Sequence, residues 1–132
     1  MEQIEKTTII GKRIPKPDGP DKAIGRTAYI NDMVLPIMLY GKILHAGRPH
    51  ARIKSIDLSA AKELAGVHAI LTADDIPELR FGVNRDNLPL KGGKVRCVRD
   101  EVCAVAAETE EICDQALALI EVEYEDLPAV FD

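Results

Sequence analysis

The sequence predicts an α+β fold in which two short helices lie on one side of a small mixed sheet, after an extended N-terminal arm. Segments with the alternating or continuous apolar patterns of strands are interleaved with only two amphipathic stretches of helical spacing. This pattern lacks the long, regular crossover helices of a doubly wound fold. With 132 residues and 46% apolar content, the chain also has the size and composition of one globular domain.

Residues 1–36 are predicted to be an extended arm that docks on residues 37–132, so that both parts make one structural domain. Backbone breakers are dense in the arm, and this density favours irregular structure. They are Pro15, Pro17, Gly19, Pro20, Gly25 and Pro36. The apolar residues Ala28, Tyr29 and Ile30 favour an arm that packs on a surface over one that moves freely.

The first half of the domain is predicted to contain two strands and a short helix. Residues 39–46 alternate in polarity, and residues 51–56 follow as a second strand. A bend is expected at Pro49, because proline cannot donate to a ladder. Ser59 is predicted to cap a helix of about two turns, and Gly66 to end it with a left-handed residue.

The middle of the domain is predicted to hold a strand, a single helical turn and a long loop. Residues 67–71 are apolar except for His68, which indicates a buried strand. Thr72 and Asp75 have the spacing of a capping box. The glycines, asparagines and prolines of residues 78–94 then predict a surface loop of the length that often carries function.

The last part of the chain is predicted to hold three strands and one helix. The strands cover residues 95–98, 102–107 and 120–125. The second of them is apolar on both faces, which favours a central position, and its alanines leave room for a helix. Thr109 is predicted to cap the helix, since two glutamates follow it where the helix dipole favours negative charge.

Charge is distributed unevenly along the chain, although the net charge is only −5. All 17 Lys and Arg residues lie within residues 1–99, whereas residues 100–132 hold 11 acidic residues and no basic one. Such a pattern can mark a surface that meets a partner, but the preferred interpretation places these acids on the solvent faces of one helix and one strand. The acidic pI of about 5.2 and the lack of a basic run interleaved with aromatics argue against nucleic-acid binding.

The residue types that most often carry catalysis form no motif here. His45, His50 and His68 lack the spacing and the carboxylate neighbours of a metal site. The adjacent acids at 74–75 and 110–111 are explained by helix starts. Glycine patterns for dinucleotides, phosphates or a nucleophilic serine are missing as well. The sequence therefore predicts no catalytic, cofactor-binding or metal-binding residue in this chain.

Cys97, Cys103 and Cys113 are odd in number and fit neither a disulfide framework nor a Cys-x-x-Cys site. They are predicted to be buried free thiols in a reducing compartment. Residues 1–11 hold no apolar segment of a secretory leader, and no apolar run reaches the length of a membrane span. The expected location is therefore cytoplasmic.

Three separated stretches, residues 18–32, 35–61 and 94–130, carry motifs of a known family. The most specific motifs are Leu35-Pro36-x-Met38-Leu39-Tyr40 and Pro49-His50-Ala51-Arg52-Ile53. In order and spacing, the stretches resemble the N-terminal domain of the large, molybdenum-binding subunit of the molybdenum hydroxylases. That family includes xanthine dehydrogenase, aldehyde oxidase, carbon monoxide dehydrogenase and 4-hydroxybenzoyl-CoA reductase. The resemblance implies an α/β-hammerhead fold.

The resemblance also implies a structural role for this chain. In the family, the molybdopterin cofactor and the catalytic glutamate belong to a longer region that follows this domain, and iron–sulfur clusters and flavin lie on partner subunits or domains. The expected function is a structural and docking domain of a molybdopterin-dependent oxidoreductase, a hydroxylase or dehydrogenase, that is inactive as an isolated chain. Its expected partners are the remaining domains of the large subunit and the iron–sulfur and flavin subunits, with no nucleic acid and no membrane span. The alternative is a free-standing or split-subunit module that binds a small molecule through the 78–94 loop.

Two departures from the family pattern stand out. Residues 45–47, His-Ala-Gly, replace the Arg-Ser-Pro of many relatives, and Arg99 stands where relatives often have glycine. A bulky cation at that point disfavours a positive-φ turn. The Asp-Glu-Val pattern of residues 100–102 is similar to the 4-hydroxybenzoyl-CoA reductase branch and implies an aromatic acyl-CoA substrate.

Overall fold

The computed structural model describes residues 9–131 and confirms the α+β class. These residues belong to two compact units, Met1–Leu35 and Pro36–Asp132. Residues 1–8, which make up most of the segment considered for a secretory leader, lie outside the described residues.

The first unit is irregular but not extended throughout. It contains the helix α1, Gly19–Ala23, and a 3₁₀ turn, Ile30–Asp32. Pro20 lies in the first turn of α1, where its missing N–H leaves no donor unsatisfied. The Asp32 carboxylate closes the 3₁₀ turn by accepting a hydrogen bond from the Tyr29 N–H at 2.9 Å. Prolines and glycines at this density are therefore compatible with short helical turns when they fall at helix ends.

The second unit contains six strands and two helices. The strands are β1 (Tyr40–His45), β2 (Ala51–Asp57), β3 (Val67–Leu71), β4 (Lys94–Val95), β5 (Glu101–Ala107) and β6 (Glu121–Asp126), and the helices are α2 (Ser59–Lys62) and α3 (Glu110–Leu119). Consecutive strands alternate between two three-stranded antiparallel sheets, with the orders β1-β5-β3 and β4-β2-β6. The expected single sheet is divided in two because Gly47, with a φ of +62°, and Pro49 turn the chain away from the β1 ladder before β2 begins.

β5 is the central strand of the first sheet, as its apolar pattern predicts. Its residues Cys103, Val105 and Ala107 are buried on the face that α3 covers. Cys113 and Ala116 of α3 are fully buried in the same cluster. The helix lies close to the sheet because most of the residues between them are small.

Not all the alanines of β5 face α3, although the sequence predicted that they make room for a helix. Ala107 lies on the α3 side, whereas Ala104 and Ala106 alternate to the opposite face, where they are only partly buried. α3 therefore covers one face of the first sheet and leaves small residues on the other.

β3 lies at the edge of the first sheet, and the prediction that it is a buried strand is wrong. Ile70 is its one buried residue, and Leu71 is 44% exposed. The apolar run reflects pairing with β5 along one edge and contact with the core on one face, rather than burial on both faces.

β2 is the central strand of the second sheet, which has a small core of its own. Ala51, Ile53, Val95 and Val102 are buried in this core. β4 pairs with β2 over only two residues, so the strand predicted over residues 95–98 is shorter than expected.

The Asp100 carboxylate ends β4. It accepts hydrogen bonds from the backbone N–H groups of Arg96 and Cys97, at 2.6 and 3.2 Å, and so withdraws them from the ladder. The Asp100 N–H closes the turn on the Cys97 carbonyl at 3.0 Å. Arg99 lies in this turn without a positive φ, as expected for a bulky residue in place of glycine.

Two predicted helix-start signals are confirmed. The Thr109 hydroxyl caps α3 by accepting the Ile112 N–H at 3.2 Å. Thr72 and Asp75 form the predicted capping box, in which the Asp75 carboxylate accepts the Thr72 N–H at 2.7 Å. These short-range patterns are reliable because the donor and acceptor are neighbours in sequence.

The prediction that Ser59 caps α2 is wrong. Ser59 is the first residue of the helix, because the Asp57 carboxylate accepts its N–H at 2.9 Å. The helix has four residues and is shorter than expected. Gly66 has the predicted left-handed conformation, at a φ of +88°, but it does not end the helix, which already stops at Lys62.

Candidate functional site

Two histidines fasten chain segments to one another. His45 Nδ1 lies 2.9 Å from the Arg99 carbonyl oxygen, and His50 Nδ1 lies 2.6 Å from the Pro128 carbonyl oxygen. Since a carbonyl can only accept, both rings carry a proton on Nδ1 and donate it. Both histidines therefore hold loops in place, and the structure gives them no catalytic partner among the described residues.

His68 is an edge histidine. It lies on β3 with its ring half exposed, and its Nε2 lies 3.3 Å from Glu108 Oε1. Within residues 9–131, no three His, Cys, Asp or Glu side chains are grouped as a metal ion would require.

Cys97 is exposed, so the prediction that all three thiols are buried is wrong at this position. The turn that Asp100 closes carries Cys97 at the surface, where its sulfur accepts the Arg99 N–H at 3.3 Å. Cys103 and Cys113 are fully buried, as predicted. Burial raises the pKa of the Cys103 thiol to about 11, which keeps it protonated at neutral pH.

One fast-reacting thiol is expected in the folded chain. At about pH 8 a thiol reagent should modify Cys97 and leave Cys103 and Cys113 intact until denaturant unfolds the domain, because the reactive thiolate must be accessible. Mass spectrometry before and after denaturation counts the modified cysteines. The Cys97→Ser variant is the control. A fast reaction that survives this substitution would show that a core thiol is open to solvent.

The uneven charge along the sequence is compensated within the fold at several places. On the second sheet, Arg52 of β2 lies 3.1 Å from Glu125 of β6, and Lys54 lies 4.0 Å from Glu123. These pairs are exposed and contribute little stability each. They show that acids late in the sequence face bases from its earlier part across neighbouring strands.

On the first sheet, acidic residues of α3 likewise pair with a basic residue from the earlier part of the chain. Lys42 Nζ of β1 lies 2.7 Å from the Asp114 carboxylate and 3.5 Å from that of Glu110. The hydrogen bond to Asp114 raises the pKa of Lys42. This pairing favours the interpretation that the acids occupy the solvent faces of one helix and one strand.

Three carboxyl groups have pKa values below the ordinary range, and each lies at the start of a helix or turn. The hydroxyl and N–H of Ser59 lower the pKa of Asp57, and the N–H and hydroxyl of Thr72 lower that of Asp75. The pKa of Glu111 is lowered first by its own backbone N–H. A lowered pKa makes a carboxylate a weaker base near neutral pH, so these groups are better suited to capping than to acid–base catalysis.

The 78–94 loop borders a polar cleft of about 700 Å³. Lys91 is buried beside it and donates a hydrogen bond from Nζ to the Leu88 carbonyl at 2.6 Å. Lys94 and Asp100 are among the charged residues of both signs in the cleft wall. Small-molecule sites usually have mostly apolar walls with a few polar groups, which this cleft does not match.

A second groove, of about 620 Å³, lies beside the Cys97 turn. Pro49, Val98 and residues 128–131 line it together with His50 and Cys97. A nucleophilic cysteine needs a base within hydrogen-bond reach. Among the described hydrogen bonds none joins these two side chains: His50 Nδ1 donates to the Pro128 carbonyl, and the Cys97 sulfur accepts the Arg99 N–H.

Every buried side-chain nitrogen or oxygen within residues 9–131 has a hydrogen-bond partner. In the same range, no helix has the length and apolar character that would let it cross a membrane.

Comparison with known proteins identifies the family of this chain. Residues 24–128 match the family model described as aldehyde oxidase and xanthine dehydrogenase, a/b hammerhead domain. The chain is 46% identical over 114 residues to a probable xanthine dehydrogenase subunit of Bacillus subtilis (strain 168). It is 38% identical over 125 residues to the nicotinate dehydrogenase large molybdopterin subunit of Eubacterium barkeri.

These relatives are much longer than the matched segment. The two alignments cover 85% and 93% of this chain, but only 15% and 29% of the relatives. Among solved structures, quinoline 2-oxidoreductase from Pseudomonas putida 86 is similar with a TM-score of 0.79 and 36% identity. That match covers 95% of this chain and 17% of the solved one. The chain therefore spans less than a third of the length of each of these proteins.

Proposed function

This chain belongs to the a/b hammerhead domain family of aldehyde oxidase and xanthine dehydrogenase, and from that membership we propose that it is a structural and docking domain of a molybdopterin-dependent hydroxylase or dehydrogenase. One observation carries the proposal. The family match covers residues 24–128, most of this chain, whereas the chain covers only 15% of the probable xanthine dehydrogenase subunit. We therefore assign a folded docking surface to this domain and the chemistry to the rest of the subunit.

The residues of this chain do not fit a molybdopterin site, and we assign the cofactor to the rest of the large subunit. A cofactor site buries most of its ligand in a pocket with a few precisely placed polar groups that are free to bind it. Within residues 9–131 the buried side-chain donors and acceptors are already satisfied by the protein. The larger cleft has a wall of mixed charge around the loop. No step of the reaction is therefore assigned to a residue of this chain.

The proposal includes partners beyond the large subunit. Iron–sulfur and flavin subunits or domains would carry the electrons, as the family resemblance implies. The arm formed by residues 1–36 and the remaining surface of the domain would serve the contacts to the rest of the assembly. The proposed location is cytoplasmic, because three cysteines whose spacing fits no disulfide framework are usual in a reducing compartment.

An aromatic acyl-CoA substrate stays a prediction. It depends on the Asp-Glu-Val pattern of residues 100–102. Asp100 closes a turn by binding two backbone N–H groups, and Val102 is buried in the second core. Both residues have structural roles that an enzyme for any substrate could share.

A split-subunit chain is the second candidate. The domain forms 29% of the nicotinate dehydrogenase large molybdopterin subunit but 15% of the Bacillus subtilis relative, so the polypeptides that carry it differ in length. In this alternative the chain associates with a separate molybdenum-binding chain, or binds a ligand in the cleft beside the 78–94 loop. A small molecule that raises the Tm of the chain by mass action would favour the ligand-binding form.

The proposed function is tested by purifying the domain with everything joined or bound to it. An affinity tag fused to this domain at its native gene allows purification from the source organism under native conditions. We expect about one molybdenum atom per tagged domain, because the cofactor-bearing part of the subunit stays attached. Elemental mass spectrometry gives the metal content, and peptide mass spectrometry identifies the attached polypeptides.

The Cys103→Asp variant of the tagged domain is the matched control. This variant is expected to be strongly destabilised, because it places a charge in the core, and so it should recover much less molybdenum. Recovery of the folded wild-type domain alone and free of molybdenum would contradict the proposal. That result would favour a free-standing module.

A further inference from the structure

The face of the first sheet opposite α3 is apolar at six neighbouring positions, of which four are exposed and two, Ala104 and Ala106, are partly buried. Cross-strand register places them in two rows, one of Gly41, Ala106 and Ala69 and one of Ile43, Ala104 and Leu71. We name these six residues the open sheet face. Ile43 and Leu71 are 46% and 44% exposed.

The open sheet face forms a trough along β5. In one row Ala104 lies between the larger side chains Ile43 and Leu71, and in the other row all three side chains are small. Neighbouring strands lie about 4.8 Å apart, so three strands make a floor about 10 Å wide. This is the width of one α-helix with its side chains, about 10 to 12 Å.

One end of the trough is closed, and among the described residues of the second unit no helix or strand covers the rest. Val102, which precedes Ala104 on the same side of β5, is buried in the second core. The opposite face of the sheet is covered by α3. Because an apolar sheet face is normally buried against a second layer, the open sheet face lacks a layer that the rest of this unit does not provide.

We propose that an apolar helix from the remainder of the large subunit lies in this trough and completes a helix–sheet–helix sandwich. The inference rests on the proposed function and identifies the surface through which the domain docks. Two observations select this occupant. The relatives carry several times as much chain as this domain, which supplies the missing layer, and none of the six positions carries a charge that a polar partner would need.

A second copy of this chain fits the trough less well. If two open sheet faces met, the larger Ile43 and Leu71 side chains would touch first and hold the alanine floors apart. The gap would forfeit the close contact that makes apolar interfaces stable. A helix places its own side chains between these two residues and fills the floor.

Hydroxyl-radical footprinting of the native assembly tests this docking surface. The oxidation rate of Leu71 is measured in the 132-residue chain alone and in the molybdenum enzyme that carries the domain. We expect Leu71 to be about fivefold less reactive in the enzyme, since its exposure would fall from 44% to that of an interface core. Leu119 of α3 is the matched control, because it is the same residue type at 41% exposure outside the open sheet face, and its reactivity should not change.

The outcomes separate this inference from the proposed function. If a molybdenum enzyme is recovered and Leu71 remains as reactive as in the chain alone, the docking inference is wrong and the proposed function stands. If Leu71 is protected in the chain alone in a concentration-dependent way, the occupant is a second copy and the inference is overturned. If no molybdenum enzyme is recovered, the proposed function fails and this inference fails with it.

A pair of variants gives a second readout. Ala106→Asp places a charge in the trough, and Ala60→Asp places one at an exposed position in α2. We expect Ala106→Asp to lower the yield of molybdenum-loaded enzyme about fivefold or more, because the carboxylate cannot be hydrated beneath a docked helix. Ala60→Asp should leave the yield unchanged. Equal yields from the two variants would overturn the inference.

Discussion

Replacing Cys103 with Asp is expected to remove a large part of the chain's stability at neutral pH. Cys103 is fully buried at the centre of the first sheet, and burial raises the pKa of its thiol to about 11, so this position disfavours a charge. An unpaired carboxylate there should cost on the order of 4 kcal/mol, against a total stability of about 5 to 15 kcal/mol for a typical domain. Urea unfolding followed by circular dichroism measures the loss.

Ala106→Asp is the matched control for this substitution. It places the same carboxylate on the same strand, but on the open sheet face, where it can stay hydrated in the isolated chain. We expect its free energy of unfolding to stay within about 1 kcal/mol of the wild type. Equal destabilisation by the two substitutions would show that the open sheet face is buried within the chain itself and would contradict the docking surface.

Replacing Ala116 with Leu is expected to lower the free energy of unfolding by about 2 to 3 kcal/mol. Ala116 is fully buried between α3 and the first sheet, in the same cluster as Cys113 and Ala107. The helix lies close to the sheet because these side chains are small, so a larger side chain must push the two layers apart. Thermal unfolding should show a Tm about 10 °C lower.

The Ala118→Leu variant controls for helix propensity. Ala118 lies two positions further along α3 and is exposed, and alanine and leucine have nearly the same preference for helices. Its Tm should stay close to that of the wild type. A similar loss at both positions would attribute the effect to the helix itself rather than to its contact with the sheet.

The local elements could be predicted because their causes lie within a few residues. The continuous apolar run over residues 102–107 located β5, and Thr109 located the start of α3. Thr72 and Asp75 located the turn after β3 in the same way. In each case, the signal is a run of apolar side chains or a cap whose partners are close in sequence.

The pairing of strands could not be predicted, since it depends on contacts between distant residues. β1 and β5 pair although about sixty residues separate Lys42 from Val105. Each strand pairs with strands that are not its neighbours in sequence, because those neighbours belong to the other sheet. The early end of β4 could not be predicted from the sequence either. It depends on the Asp100 carboxylate, which takes two N–H groups that a strand would use.

The docking surface had a signal in the sequence that could not be assigned to a face. Small residues at 104, 106 and 107 indicated that a helix packs on this strand. The structure shows that Ala107 packs in the same cluster as α3, whereas Ala104 and Ala106 belong to the open sheet face. Alternation gives two faces, and only the position of α3 shows which of them its own helix covers.

We propose that this domain provides structure and a docking surface, while the chemistry is performed by other parts of a molybdenum enzyme. The most direct measurement compares the isolated chain with the native assembly in the same assay, using a redox dye and a panel of aldehydes and nitrogen-containing aromatic rings. We expect the assembly to reduce the dye with at least one of these substrates, and the isolated folded chain to show only the rate of a heat-denatured sample. Turnover by the isolated chain, free of any partner, would contradict this proposal.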